Sequence, residues 1–343
     1  MNATLVAGAL VVALNAYVLL AGADFGGGVW DLLAFGSRKE AQRQLIANAI
    51  GPVWEANHVW LILAIVLLFT GFPAAFARIV VPLNLPLTGV LIGIVLRGSA
   101  FAFRGYGGDR DAVQRRWGRV FAVASLVTPF LLGTALGAVA SGALGTVPQT
   151  GGSFTAHYLA PWLAPFPLSV GVFTLACFAF LAATYLTLEA PEGSLREDFR
   201  RRALGCGVAV GVAALVALMT AAPAGGAPLM RHGLLGSAWA VPFQVVTGIT
   251  ALGAFVALAR RRFALARVAV MAQVSLILWG WAWSQYPYVV PPDVTIESAA
   301  APVTTLRLLL AALVLGALVL VPSLFYLFRV FKSSSQPSAL SHP

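Results

Sequence analysis

Apolar stretches of membrane-spanning length, separated by gaps that are arginine-rich at every second interval, restrict this chain more than any motif does. They run over residues 5–35, 50–72, 79–103, 120–141, 160–188, 203–222, 238–258, 266–286 and 303–328. About 20 consecutive apolar residues span the roughly 30 Å hydrocarbon core of a bilayer at 1.5 Å of helix rise per residue. Where no water is present, the backbone hydrogen bonds must be made inside the segment, and these runs are therefore expected as helices. The first and fifth exceed the length needed, so they should tilt or project. The expectation is an all-α, polytopic membrane helix bundle of nine transmembrane helices. It forms one integral domain over 1–332, with a disordered tail at 333–343. Composition agrees: 59% of residues are hydrophobic and only 10% charged, against about 25% charged in soluble domains.

The net charge of +10 suggests nucleic acid only until the charges are placed. Arg38, Lys39 and Arg43 follow the first stretch, and Arg104, Arg110, Arg115, Arg116 and Arg119 the third. Arg196, Arg200, Arg201 and Arg202 follow the fifth, Arg260, Arg261, Arg262 and Arg267 the seventh, and Arg329 and Lys332 the ninth. With nine alternating helices all of these lie on one side. The other side keeps only Arg78 and Arg231, while Arg97 and Arg307 fall within helices. The positive-inside rule then puts the N-terminus outside and the C-terminus in the cytoplasm. The opposite gaps are neutral, and Trp279, Trp281 and Trp283 fit an interfacial aromatic belt. The first stretch lacks a basic n-region and a clear cleavage site, so it reads as a retained helix. Cys177 and Cys206 lie in apolar helices and read as buried thiols.

Ionisable groups in hydrocarbon cost roughly 2.5–3.5 kcal/mol by insertion scales, so they mark interior contacts or proton paths. Asp24, Glu55, Asn57, His58 and Arg97 all fall toward the cytoplasmic ends of the first three helices, where Asp24, Glu55 and Arg97 can meet. One acid paired with Arg97 would leave the other poised to titrate. Glu55 and His58 are i,i+3 neighbours on one helix face. The plainer reading of Glu55 is a buried ion pair that only fixes packing. Gly22, Gly26, Gly27 and Gly28 suggest a close helix contact beside Asp24. Asp31 reads as an interfacial carboxylate, Arg307 as snorkelling or pairing with Glu297, and His157 and His232 as solvated loop residues. A lone intramembrane histidine such as His58 more readily hydrogen-bonds a neighbour than ligates haem. No metal box, P-loop or nucleophile triad is present, and Gly26-Gly27-Gly28 fails the dinucleotide pattern.

Three blocks resemble one family. Residues 21–28, AGADFGGG, are similar to a helix-one stretch DGFDLGVG. Residues 51–61, GPVWEANHVWL, are similar to GPVWDGNEVWL, and residues 96–104, LRGSAFAFR, to LRGVAFEFR. These are stretches of subunit II of the cytochrome bd-type quinol oxidases, including the cyanide-insensitive branch. Gln285-Tyr286-Pro287-Tyr288 and the nine-helix plan also fit. The resemblance implies a multi-pass protein of the bacterial cell (inner) membrane, paired with a haem-bearing subunit I and with room for a small accessory subunit. The complex would oxidise quinol and reduce dioxygen to water, with haems b558, b595 and d in subunit I and none ligated here. This subunit would supply scaffold and cytoplasmic proton delivery through Glu55, Asp24 and His58. Arg97 and Asn57 would serve as charge partner and structural residue, and Trp54, Trp60, Gly26 and Gly28 as packing or interface residues. The sequence departs from the family at Ala21, Ala23 and Ala102, at Glu55 in place of Asp, and at His58 where an acid or amide is usual. An imidazole there is suited to relay protons near neutrality. The alternative from another class is a proton-coupled secondary transporter centred on Asp24, Glu55 and Arg97; a third reading is a scaffold whose acids only pair internally.

Overall fold

Long apolar runs closed by glycine, proline and charge give helices, and the computed structural model is built almost wholly of them. It describes residues 1–106, 111–146, 152–222 and 226–333. The side chains of 50–56, 101, 104–106, 111–115 and 146, and several from 321 onward, lie outside that description. In chain order the elements are α1 (Asn2–Leu32), α2 (Lys39–Gly71), α3 (Pro73–Val80), α4 (Asn84–Tyr106), α5 (Asp111–Ser141), α6 (Ala143–Thr146), α7 (Phe154–Tyr158) and α8 (Ala160–Leu163). They continue with α9 (Pro165–Glu189), α10 (Ser194–Thr220), α11 (Pro228–Gly236), α12 (Ala240–Ala259), α13 (Phe263–Gln285), β1 (Tyr288–Val290), β2 (Val294–Thr295) and α14 (Val303–Ser333).

Among the described residues, seven helices are long and apolar enough to cross a membrane: α1, α5, α9, α10, α12, α13 and α14. An eighth is reached if Asn57–Gly71 and Pro73–Val80 form one span, bent by 117°. The segments expected at 50–72 and 79–103 fall here, on a bent pair and on the shorter apolar run Asn84–Ala100. Proline is the cause: Pro73 has no N–H to continue α2 and instead starts α3. Helix α2 also begins at Lys39, well before its apolar part, because Lys39–Asn48 is rich in good helix formers. At 33 residues it is about 50 Å long, more than a bilayer core requires.

Helices α5 and α9 form the centre, their spanning windows 56% and 61% buried, whereas that of α14 is 6% buried. The most extensive packing joins α9 to α10, α5 and α1, α1 to α2, and α4 to α5. Lipid tails are as apolar as leucine, so these contacts depend on close approach rather than on hydrophobic burial, and small residues supply it. A Cβ on Gly26 would land on the Phe178 backbone carbonyl and within 2.7 Å of the Ala182 Cβ, which sets the α1–α9 approach. Gly133 and Gly137 do the same for α5 against α9, meeting the Gly171 and Pro167 Cα atoms at 2.8 and 2.7 Å.

One core cluster, around Phe25, Phe121, Phe178, Phe180 and Phe199, lies toward the arginine-rich end. A second, around Val6, Leu67, Phe72, Leu83, Leu144 and Val290, lies toward the other end. That second end is built from more than a neutral loop. Strands β1 and β2 pair antiparallel, Ala301 N–H donates to the Gly71 carbonyl at 2.9 Å, and Arg78 Nη2 donates to the Gly145 carbonyl at 2.8 Å.

Candidate functional site

The glycines of α1 decide where Asp24 can go. With Gly22 and Gly26 against α9 and Gly28 against Ser125 of α5, α1 is held on two sides, and Asp24 faces α2 and α4. Its side chain is fully buried. Arg97 of α4 reaches it in a fork: Nη1 donates to Oδ2, and Nη2 donates to Oδ1 at 2.6 Å and to the Asp24 backbone carbonyl at 2.8 Å. Planar guanidinium and carboxylate match in this bidentate form, which fixes orientation as well as charge.

The remaining contacts complete the guanidinium. Arg97 Nε donates to Ser125 Oγ at 2.9 Å, and Ser125 Oγ donates to the Phe121 carbonyl at 2.7 Å. The guanidinium carbon lies 4.7 Å from the ring centroids of both Phe25 and Phe121, so aromatic faces enclose the cation. Asn57 of α2 donates Nδ2 to Asp24 Oδ2 at 2.7 Å. Four helices thus meet in one buried network. Among the described residues the Asn57 Oδ1 and the Tyr17 hydroxyl, also buried, have no hydrogen-bond partner.

Of the residues expected from the sequence, Asp24, Asn57 and Arg97 come together. Glu55 and Trp54 lie outside the described side chains. His58 is half-buried on α2, and Trp60, half-buried, packs into both core clusters. Asp31 is 3% exposed, with Arg43 Nε 3.9 Å from its Oδ1 and 3.4 Å from its backbone oxygen. The reason is that the start of α2 folds over the end of α1. His157 is half-buried on α7, and His232 is exposed on α11.

Sequence reasoning missed Ser125, Phe25 and Phe121, because polarity alone drew attention and two of the three are apolar. It also missed a second polar cluster at the arginine-rich end. Arg38 holds Asp198 through Nε at 2.8 Å and Nη2 at 2.7 Å, and Gln42 Nε2 donates to the same carboxylate at 3.1 Å. Asp198 in turn raises the pKa of the Arg38 guanidinium. Arg202 Nη2 donates to Gln42 Oε1 at 2.8 Å and to the Leu33 carbonyl at 3.2 Å, and its guanidinium sits over the Trp30, Phe35 and Phe199 rings. This cluster ties α10 to the α1–α2 junction.

Among the described residues no group of three or more His, Cys, Asp or Glu side chains could hold a metal ion. What the buried network can do is hold one carboxylate and one guanidinium in a fixed place inside the bundle.

A family model described as "Cytochrome bd terminal oxidase subunit II" matches residues 2–331. Two curated relatives come from Bacillus subtilis (strain 168). A cytochrome bd ubiquinol oxidase subunit 2 is 36% identical over 34% of each chain, and a putative cytochrome bd menaquinol oxidase subunit II is 22% identical over 92% of this chain and 91% of its own. The cytochrome bd-I ubiquinol oxidase subunit 2 of Escherichia coli (strain K12) is 29% identical over 62% of this chain and 54% of its own. The chain therefore spans about a third of the first of these relatives and about half of the last. In the solved structure of bd oxidase from Geobacillus thermodenitrificans, one chain shares the fold with a TM-score of 0.79 at 23% identity, over 96% of this chain and 98% of that one.

Proposed function

This chain belongs to the cytochrome bd terminal oxidase subunit II family, and on that premise we propose that it is the non-haem subunit of a quinol-oxidising, dioxygen-reducing complex. The observation that carries the reading is a family match that runs through nearly the whole chain. In this reading the chain is one integral domain of nine spans over 1–332, with the N-terminus outside, the C-terminus in the cytoplasm, and a tail at 333–343. Its partner is the haem-bearing subunit I, whose haems b558, b595 and d supply the electron and oxygen chemistry.

The role of this subunit is scaffold and proton delivery from the cytoplasm through Glu55, Asp24 and His58. The buried fork supports a division of labour within that route. Asp24 is engaged by Arg97 and Asn57 and fixes the local charge. Glu55, two residues before Asn57 on α2, and His58, one residue after it, are the groups that exchange protons. An imidazole and a carboxylate at i,i+3 relay a proton by alternately donating and accepting. No observation among the described residues favours the proton-coupled transporter.

Glu55→Gln removes a proton-exchanging group while keeping size and hydrogen-bonding capacity. Quinol-driven oxygen consumption per haem should fall by about ten-fold or more, in keeping with loss of a general acid–base group, with haem content unchanged. Equal activity per haem removes Glu55 from the route. A mild-detergent pull-down of the tagged chain should bring down a stoichiometric partner with reduced-state haem bands. A colourless, partner-free chain from membranes in which an intact complex survives the same detergent would overturn the reading as a whole.

A further inference from the structure

Five guanidinium groups crowd one turn at the arginine-rich end, and one carboxylate, Glu197, pairs with three of them. Arg260, Arg261 and Arg262 join α12 to α13 and are exposed. Arg200 and Arg201 of α10 stand against the same turn. Arg200 donates to both Glu197 oxygens, Nε at 2.9 Å and Nη2 at 2.6 Å, and Nη1 reaches the Leu258 carbonyl at 3.4 Å. The Glu197 oxygens thus serve mainly Arg200, with Arg201 and Arg261 at 3.5 and 3.6 Å. Arg260 and Arg262 make no ion pair among the described residues.

The plainest account of such a turn is a solvated, positive-inside loop. Two observations go further. Helix α12 ends in a Schellman pattern, with Arg262 N–H on the Ala257 carbonyl at 2.8 Å and Arg261 N–H on the Leu258 carbonyl at 3.2 Å. Arg261 occupies the left-handed position of that motif at φ 56, the place where glycine is the unstrained choice. A guanidinium-bearing residue thus stands at a position where a glycine would be unstrained. The second observation lies toward the membrane from the turn. Gly207 of α10 lies under the Phe255 ring of α12, where a Cβ would meet Cζ at 2.6 Å. Near and beyond this crossing, Val208, Val212 and Val216 of α10 and Ile249, Leu252 and Val256 of α12 are exposed and apolar.

We propose that this turn binds the phosphate headgroup of an anionic phospholipid, whose acyl chains lie along the exposed faces of α10 and α12. Guanidinium forks match phosphate oxygens bidentately, and clustered basic residues beside membrane helices attract anionic headgroups. Inorganic phosphate shares the headgroup chemistry; the apolar strip is what favours the lipid.

The test uses the full chain, purified with its native partners and exchanged into vesicle-derived nanodiscs of phosphatidylcholine with or without 20% phosphatidylglycerol. Lipid retained on this subunit is read by native mass spectrometry after transfer to detergent. Wild type should retain phosphatidylglycerol over phosphatidylcholine. The Arg260→Gln/Arg261→Gln/Arg262→Gln variant should retain at least ten-fold less, as expected from roughly five-fold per surface guanidinium. Arg261→Gly removes one guanidinium while relieving the left-handed backbone; it should retain less phosphatidylglycerol with undiminished thermal stability, which separates lost binding from lost folding. Lys39→Gln removes a charge from the same end, away from the turn, and should change nothing. Equal retention in the triple variant, equal loss in Lys39→Gln, or displacement of the bound lipid by millimolar inorganic phosphate each overturns the proposal.

Discussion

Arg97 is the side chain whose loss should be felt most. It is 4% exposed, and its hydrogen bonds reach a carboxylate, a backbone carbonyl and a hydroxyl on two other helices. Removing one member of a buried ion pair strands the other, at about 3–5 kcal/mol, whereas replacing both by apolar groups of similar volume is far milder. Arg97→Met should therefore sharply reduce the amount of folded chain recovered, and Asp24→Leu with Arg97→Met should restore much of it. A double-mutant cycle on thermal stability, read by size-exclusion fluorescence, measures the coupling. If the double variant is as damaged as the sum of the singles, the pair is not the unit described here. Asn57→Leu should be intermediate, since it removes one donor to Asp24 and also removes the unpartnered Asn57 Oδ1.

At the scale of elements, the helices are placed by glycines more than by large side chains. Gly26 and Gly248 both lie within apolar helices. A Cβ on Gly26 collides with the α9 backbone at Phe178, while one on Gly248 meets nothing within 4 Å. Gly26→Ala should push α1 away from α9 and lower the melting temperature of the chain in detergent by several degrees. Gly248→Ala should be neutral or slightly stabilising, by about 0.5–1 kcal/mol through reduced backbone freedom. Equal effects at the two positions would mean that close α1–α9 packing does not hold the bundle. The polar ties at the arginine-rich end belong to the same scale. Asp198 and Arg202 on α10 reach Arg38, Gln42 and Leu33 at the α1–α2 junction, so neighbouring elements are fixed by charge where small residues do not bring them together.

For the whole molecule, the distribution of arginine makes a topological prediction that a membrane assay can read. Reporter fusions after residues 36, 192 and 261 should report the cytoplasm, and fusions after residues 148 and 224 the opposite side. An odd number of spans between the termini would explain the asymmetry. The region to watch lies between Gly71 and Asn84, where α2 turns by 117° into α3. A fusion in this turn that reports the cytoplasm would exclude a crossing by the Asn57–Gly71 and Pro73–Val80 pair and reduce the count by two.

The sequence alone determined that this chain is a membrane helix bundle, because apolar run length and charge deficit are properties of residues counted along the chain. It also placed Asp24, Asn57 and Arg97 on three successive helices near one end, since helix direction and position within a span are set by one-dimensional spacing. That Arg97 engages Asp24 in a bidentate fork was a different matter. It depended on rotation about three helix axes; the glycines of α1 signalled a close contact beside Asp24, but which helices they meet, α9 and α5, is decided only in the folded bundle. Ser125, Phe25 and Phe121 escaped notice because their part in the network exists only once Arg97 lies between the two rings. The cage around Arg202 came likewise from segments meeting far apart in sequence. Hydrophobic length drives a chain into the bilayer, but inside it only close contact and paired charge distinguish one helix arrangement from another.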